Sequence, residues 1–198
     1  MMFGEKHPVG AYATAEDYDT ISSELLRDFY SRYYNSGNTT IYLSGNVTPK
    51  IVDTVCDIFG KSSYGENREP YPQKTFDIET SAETFRKVYV DHALQTSLRM
   101  GLFIPERTHP DYHKLRILIT VLGGYFGSRL MQNIREEKGY TYGISSNMAF
   151  YPGSGLMLIA SEVNTDSYED VVKEVKIEMD RLCEELIGPD ELESVGNI

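Results

Sequence analysis

The sequence predicts an α+β domain in which helices pack on a largely antiparallel sheet. Two observations support this fold class. Segments with apolar residues at helical spacing occur between segments in which apolar and polar residues alternate, and these patterns are typical of helices and strands. The predicted strands 142–150 and 156–163 are separated only by a short turn at 151–153, and a connection this short joins antiparallel neighbours.

The first 80 residues are expected to contain two helices and one strand. The first helix is amphipathic: it begins at a capping pattern at 14–17, and apolar residues recur at four-residue spacing from Ile21 to Phe29. The second helix begins at Thr48-Pro49, a favourable N-cap and first-turn pair. In order, the expected elements are a connection at 1–13, a helix from 14 to about 36, a strand at 39–44, a helix at 48–59 and a long loop at 61–80.

The remaining residues are expected to alternate between pairs of strands and helices. Leu98, Met100 and Leu102 alternate with Arg99 and Gly101, which predicts a central strand that points these three apolar side chains into the core. In order, the expected elements are strands at 85–90 and 94–102, helices at 115–122 and 128–138, strands at 142–150 and 156–163, a long helix over 172–186 and the start of another at 189.

Composition excludes several classes of protein. A net charge of −11 does not fit a nucleic-acid-binding surface, which needs clustered Lys and Arg, so no nucleic-acid partner is expected. No stretch approaches the roughly 20 apolar residues that cross a bilayer, and no signal peptide is visible. We therefore expect a soluble protein without a membrane partner, with a cytoplasmic location favoured. Cys56 and Cys183 are far apart and are interpreted as buried small hydrophobic residues.

The length of the chain, 198 residues, is that of one ordinary domain. Residues 14–198 are therefore assigned to a single domain, preceded by the connecting segment at 1–13. The doubled Met1-Met2 and the end at Ile198, shortly after the helix start predicted at 189, suggest that this domain was excised from a longer chain.

His109 and His113 are the candidate metal ligands, because residues four apart share one face of a helix. Zinc peptidases add a glutamate, in H-E-x-x-H or H-x-x-E-H, which activates the metal-bound water. Here the corresponding positions hold Pro110 and Tyr112, and the proline places His109 before the first helical turn. A helix start is therefore favoured over a metal site, and no metal ligand is predicted.

The most specific segment of the chain is 123–143, with the sequence GGYFGSRLMQNIREEKGYTYG. Arg129 and Arg135 lie on its short predicted helix, and Tyr142 follows Arg135 by seven residues, across a turn at Gly139. A guanidinium and a phenol brought together in this way could bind a peptide carbonyl or carboxylate. The alternative is an ion pair within the helix and a core tyrosine, and the residues alone favour that alternative.

Several motifs occur in the same order in a known family. The segment that begins at Leu122 resembles the L-G-G-x-x-x-S-R-L and R-E-x-x-G-x-x-Y signature in the C-terminal domains of the pitrilysin/insulinase family of metallopeptidases, which includes mitochondrial processing peptidase. Upstream, FYSRYYNSGN at 29–38 and IYLSGNV at 41–47 resemble the family's helix and following strand, and IFG at 58–60 resembles a helix end. Gln95 stands where the family usually has glutamine, so the resemblance covers nearly the whole chain.

This resemblance implies a zinc-free domain of the mitochondrial-processing-peptidase-like metallohydrolase fold, which forms part of a clamshell around a peptide. One half of such an enzyme carries H-x-x-E-H and a distal glutamate, which bind zinc and activate water. The opposing half supplies an arginine and a tyrosine near the substrate, in the pattern matched by Arg135 and Tyr142. The chain lacks H-x-x-E-H, so we expect it to bind no zinc and to be inactive alone. The implied partners are a peptide substrate and a zinc-bearing half, in the same chain or in a partner subunit.

Three alternatives stand beside this interpretation. The R-E-x-x-G-x-x-Y pattern also occurs in the second domain of the zinc-bearing half, so the chain could come from either half. A structural or assembly role is the alternative function, as in the core subunits of the respiratory bc1 complex, which share the fold. An independent zinc hydrolase that uses His109 and His113 is the least favoured, because the carboxylate that it needs is missing.

Overall fold

A computed structural model describes residues 1–65 and 76–197, and the chain divides into two compact units, Met1–Arg86 and Lys87–Ile198. The long loop predicted at 61–80 lies partly outside the described residues. The assignment of 1–13 to a connection and of 14–198 to a single domain stays a prediction.

Three short helices form the regular structure in the described part of the N-terminal unit. They are α1 (Ala15–Thr20), α2 (Ser23–Tyr33) and α3 (Pro49–Val55), and α3 continues as a π-helical turn at Cys56–Gly60. The capping pattern predicted at 14–17 is present: Asp17 Oδ2 accepts the Thr14 backbone N–H at 2.7 Å, and the Thr14 hydroxyl accepts the Asp17 N–H at 3.3 Å.

The single helix predicted from 14 to about 36 is instead two helices. Ile21 ends α1 in an extended conformation, with φ −77° and ψ 119°. The Ser22 hydroxyl then accepts the Leu25 N–H at 3.1 Å and caps a second helix. Serine is a strong N-cap, so the chain starts a new helix here although the apolar spacing continues through the break.

The prediction of strands at 39–44 and 85–90 is wrong, because both segments are irregular in the structure. A strand is stable when its N–H and C=O groups pair with a neighbouring strand. Among residues 1–65 and 76–197, the paired strands are the three of the C-terminal unit, and neither segment belongs to them. Alternating apolar residues indicate which face of a strand would be buried, but they do not supply a partner.

The C-terminal unit is built on a three-stranded antiparallel sheet in the order β1-β3-β2. The strands are β1 (Thr96–Ile104), β2 (Thr141–Tyr151) and β3 (Ser154–Val163). β2 and β3 form the predicted hairpin, so the antiparallel sheet of the predicted α+β class is confirmed. Within the described residues β3 is the central strand, so the prediction that 94–102 forms a central strand is wrong.

The three apolar residues of β1 differ in their burial. Leu98 is 8% exposed, Met100 is partly buried against the core, and Leu102 is 49% exposed. The prediction of a core position is therefore confirmed for Leu98 and wrong for Leu102. The helix α4 (Tyr112–Gly123) and the π-helical segment Met131–Glu137 both lie against β2. The end of the edge strand β1 that carries Leu102 is therefore less covered by helices.

Two further helices complete the unit, α5 (Tyr168–Glu184) and α6 (Pro189–Gly196). Together with α4 and the π-helical segment they confirm the helices predicted near 115–122, 128–138, 172–186 and from 189. The core lies where α4, the π-helical segment and α5 meet the sheet. Its most deeply buried members, each at most 1% exposed, are Leu130, Ile134, Ile159, Val163, Val171 and Val175.

The close approach of α4 to β2 depends on Gly123 at the end of the helix. A Cβ on this residue would lie 2.7 Å from both the Cβ and the backbone N of Ser146 on β2. Atoms do not approach this closely, so any larger side chain would push the helix away from the strand. Gly123 therefore permits the close packing of α4 on β2 and also ends the helix.

Cys56 and Cys183 are exposed, so the prediction that both are buried is wrong. Cys183 lies on α5, whose buried face carries Val171, Val175 and Glu178. Cys183 follows Glu178 by five positions and points away from that face, because successive helical residues are about 100° apart. Cys56 begins the π-helical turn after α3, and no residue of that helix or turn is buried.

Candidate functional site

A tight turn brings Arg135 and Tyr142 to one place in the C-terminal unit. Gly139 turns the chain between the π-helical segment and β2 with a φ of +66°, a conformation that favours glycine. The Gly139 N–H is donated to the Arg135 carbonyl at 3.2 Å, which closes the end of the segment. Tyr142 therefore lies at the start of β2, close to Arg135.

Both side chains line a surface depression of about 330 Å³, together with Glu136, Gly139, Thr141 and Asn164. Tyr142 is 90% exposed, and the Arg135 side chain is 32% exposed. The volume is near the lower end of the range of ligand sites, about 300–1,000 Å³. The depression is therefore large enough for one or two residues of a peptide.

Arg135 is held between a carboxylate and an aromatic ring. Its Nη1 donates to Glu136 Oε1, and its guanidinium lies 4.8 Å from the centre of the Phe126 ring. The ion pair considered as a structural alternative is therefore present. The core tyrosine of that alternative is not, because the Tyr142 side chain lies on the surface.

A β-bulge at the start of β2 directs the Tyr142 side chain outward. The register between β2 and β3 shifts between Thr141 and Ile144, and bulges of this kind re-aim side chains. The bulge is held by the buried Thr141 hydroxyl, which lies 2.6 Å from the Glu162 carbonyl and accepts the Ser161 hydroxyl at 2.9 Å. Tyr142 is thus exposed because of the pairing of two strands.

A polar network behind the depression anchors the π-helical segment to α5. Asn133 Nδ2 donates to Glu178 Oε1 at 2.7 Å and to Glu174 Oε2 at 3.1 Å, and Lys138 Nζ donates to Asn133 Oδ1 at 2.7 Å. Lys138 Nζ also lies 3.0 Å from Glu174 Oε2, and this second hydrogen bond lowers the pKa of the Glu174 carboxyl. These residues were not predicted from the sequence. The available signal was an acidic residue, Glu178, within the apolar stripe of the predicted last helix, and its side chain is 4% exposed.

Arg129, the other arginine of the 123–143 segment, lies away from the depression and binds α6. Its Nε donates to Glu191 Oε1 at 2.9 Å and its Nη2 donates to Glu191 Oε2 at 3.0 Å, a bidentate pair. The two side chains are 13% and 24% exposed. The hydrogen bond from Arg129 lowers the pKa of the Glu191 carboxyl, so the pair stabilises the docked position of α6 when the carboxyl is ionised.

Acid is expected to remove the contribution of this pair. Because the pKa of Glu191 is lower in the folded state than its ordinary value of 4.5, the stabilisation is complete above that value and is lost as the pH falls through the folded-state pKa. Glu191→Gln should therefore lower the free energy of unfolding by about 1–3 kcal/mol at pH 7 and by much less at pH 3. Urea unfolding at both pH values measures the difference. Glu193→Gln, on the exposed face of α6, is the control, and equal effects of the two changes would contradict the prediction.

The histidine pair begins a helix. His109 precedes α4 and His113 lies within it, so the two do not share a helical face, and His109 Nδ1 accepts the Asp111 N–H at 3.1 Å. The predicted helix start is therefore confirmed. Across residues 1–65 and 76–197, no three His, Cys, Asp or Glu side chains are grouped so that they could hold a metal ion. None of the described helices is both long enough and apolar enough to span a membrane.

The chain as a whole is similar to proteins of a known family. The family described as the peptidase M16 inactive domain matches residues 20–197. A Rickettsia felis protein named as an uncharacterised zinc protease is 28% identical over 170 residues, which are 84% of this chain and 39% of that protein. A Bacillus subtilis protein, also named as an uncharacterised zinc protease, is 26% identical over 181 residues, which are 91% of this chain and 43% of that protein. The chain spans less than half the length of these relatives.

Two solved structures share the fold. The peptidase M16 inactive domain from Pseudomonas fluorescens has a TM-score of 0.74 at 24% identity, over 96% of this chain and 46% of that one. A Helicobacter pylori protease has a TM-score of 0.77 at 19% identity, over 92% of this chain and 45% of that one. These similarities confirm the predicted fold class. Because the family match extends over residues 20–197, this chain belongs to the M16 peptidases, the pitrilysin/insulinase family, as an inactive domain.

Proposed function

We propose that this chain is the non-catalytic, peptide-binding domain of a zinc metalloendopeptidase and forms part of a clamshell around the substrate. The observation that carries the proposal is the depression that Arg135 and Tyr142 line together, at the two positions that the R-E-x-x-G-x-x-Y pattern marks. The family match and the naming of the relatives as zinc proteases support the peptidase context.

In this proposal the two side chains hold the peptide by hydrogen bonds. The Arg135 guanidinium donates to a carbonyl or carboxylate oxygen of the peptide, and the exposed Tyr142 hydroxyl donates to a second oxygen. In the free protein Glu136 takes one of the five N–H donors of Arg135, so a peptide oxygen binds the remaining donors or exchanges with this carboxylate. Phe126 keeps the guanidinium in place during the exchange, because its ring contacts the cation from a separate direction.

Zinc is proposed to be bound by the other half of the peptidase, in the same chain or in a partner subunit. The described residues of this chain offer no group of three ligands, and the relatives have more than half of their length outside the match. That remaining length can carry H-x-x-E-H, whose zinc polarises a carbonyl and activates water. The part of this chain is to bind and orient the peptide.

Cleavage is expected only when both halves are combined. The chain alone should bind an extended, fluorescein-labelled peptide of about ten residues, measured by anisotropy, and should leave it intact. Addition of the H-x-x-E-H half should start cleavage, which is measured by chromatography of the products. Removal of the zinc of that half with EDTA should stop cleavage without releasing the peptide from this chain.

The same experiment separates the alternative, a structural or assembly role. The pairing of Arg135 with Glu136 favours that alternative, because it gives the arginine a partner within the chain. A chain that assembles with the zinc-bearing half but binds no peptide would contradict the proposal, as would peptide cleavage by the chain alone.

A further inference from the structure

A second cavity of about 330 Å³ lies between α4 and β2 and shares no lining residue with the depression at Arg135 and Tyr142. Its wall is formed by the connection after β1, by one side of α4 and by the middle of β2. The side chains that characterise it are those of Arg107, Tyr112, Arg116, Ser146 and Phe150.

The charge of this cavity is opposite to that of the chain. Arg107 and Arg116 contribute two positive charges, and the described residues that line the cavity include no carboxylate. The whole chain, in contrast, has a net charge of −11. Twelve ion pairs join side chains in the described parts of the chain, and neither of these arginines takes part in one. Their guanidinium groups therefore remain available to an anion from outside.

Ser146 provides a separate observation that points to a ligand. The residue is 1% exposed and lines the cavity, and its Oγ has no hydrogen-bond partner among the described residues. A buried hydroxyl without a partner costs free energy, and such groups in proteins usually bind a water molecule or a ligand. Rotation of the Ser146 side chain toward the cavity would give an oxyanion there the hydroxyl hydrogen that the protein leaves unused.

Aromatic rings form the remaining wall. The rings of Tyr112 and Phe150 meet edge to face, with centroids 5.4 Å apart and an interplanar angle of 63°. The Arg107 guanidinium lies 5.9 Å from the centre of the Tyr112 ring, which orients this cation at the rim. The cavity thus combines two cations with an apolar surface, as small-molecule sites combine a few polar groups with apolar walls.

We propose that this cavity binds an oxyanion, a carboxylate or a phosphate, carried on a small apolar or aromatic body. Arg107 and Arg116 donate to the oxyanion, Ser146 donates from the base, and Tyr112 and Phe150 contact the body. Either a free organic anion or the carboxyl end of a peptide supplies this chemistry. The proposal goes beyond the function proposed above, because it concerns different residues and does not depend on Arg135.

The test uses three probes on the whole chain, by isothermal titration calorimetry. N-acetylphenylalanine carries a carboxylate beside an aromatic ring, its amide lacks the charge, and inorganic phosphate lacks the ring. We expect N-acetylphenylalanine to bind at least tenfold more tightly than the amide, and we expect phosphate to compete with it. Phosphate should bind more weakly than N-acetylphenylalanine because it lacks the ring, and equal binding of the two would contradict the contact of Tyr112 and Phe150 with an apolar body.

Matched variants locate the binding. Arg107→Gln and Arg116→Gln should each weaken N-acetylphenylalanine binding by about tenfold, because each removes a charge-assisted donor. Ser146→Ala should weaken it by a few-fold. Arg27→Gln, which removes an exposed arginine of α2, should leave it unchanged. Thermal midpoints confirm that each variant is folded. Equal affinity for the acid and the amide, absence of binding, or unchanged binding by both cavity arginine variants would overturn the proposal.

Discussion

Ile134→Ala is expected to lower the free energy of unfolding by about 2–5 kcal/mol. Ile134 is 0% exposed, and it packs in the core where the π-helical segment meets the sheet and α5. The change removes three carbon atoms from a close-packed site. The surroundings cannot easily collapse into the space, because the polar network at Asn133 holds the segment against α5. Urea unfolding followed by circular dichroism measures the effect.

Ile177→Ala is the matched control, because it makes the same chemical change at a residue of α5 that is 39% exposed. We expect it to cost no more than about 1 kcal/mol, since little apolar surface is buried there and alanine favours the helix. Similar losses for the two variants would mean that Ile134 does not lie in a close-packed core.

Arg135→Ala and Tyr142→Phe are expected to lower kcat/KM for peptide cleavage by about tenfold or more in the peptidase reassembled with its zinc-bearing half. Each change removes a hydrogen-bond donor from the depression that the two residues line. Tyr142→Phe removes a single hydroxyl from a side chain that is 90% exposed, so the unfolding midpoint should change little. Steady-state kinetics and thermal melts of the same preparations separate the two effects.

Tyr42→Phe is the control for the tyrosine, because it removes a hydroxyl from a side chain that is 88% exposed and lies outside the depression. Its turnover should equal that of the unchanged protein. Glu136→Gln should act in the opposite direction to Arg135→Ala and tighten peptide binding, because it removes the carboxylate that competes for the guanidinium. Lower stability of the Arg135 and Tyr142 variants with unchanged turnover would assign the pair a structural role.

The local features of the site follow from the order of residues in the chain. Gly139 predicts the turn that brings Arg135 and Tyr142 together, and the alternation over 142–150 and 156–163 predicts the hairpin that starts there. The helix start after His109 could likewise be predicted, because Pro110 and the missing glutamate of a zinc-binding motif are both visible in adjacent residues. The spaced motifs predicted the family, and the match over residues 20–197 confirms it.

The sequence by itself thus determined the helices and the three paired strands of the C-terminal unit, the turn at the site and the family, but it also predicted a strand at 85–90 that does not form. Only the tertiary structure decided how deeply each side chain is buried and which partner it has. Leu98 and Leu102 obey the same alternation, yet one is 8% and the other 49% exposed, because burial depends on which elements cover that end of an edge strand. Arg129 and Arg135 occur in one short segment, yet only Arg129 meets a carboxylate from α6. Spacing along the chain fixes the direction of a side chain relative to its own helix or strand, whereas burial and pairing depend on elements that are distant in sequence.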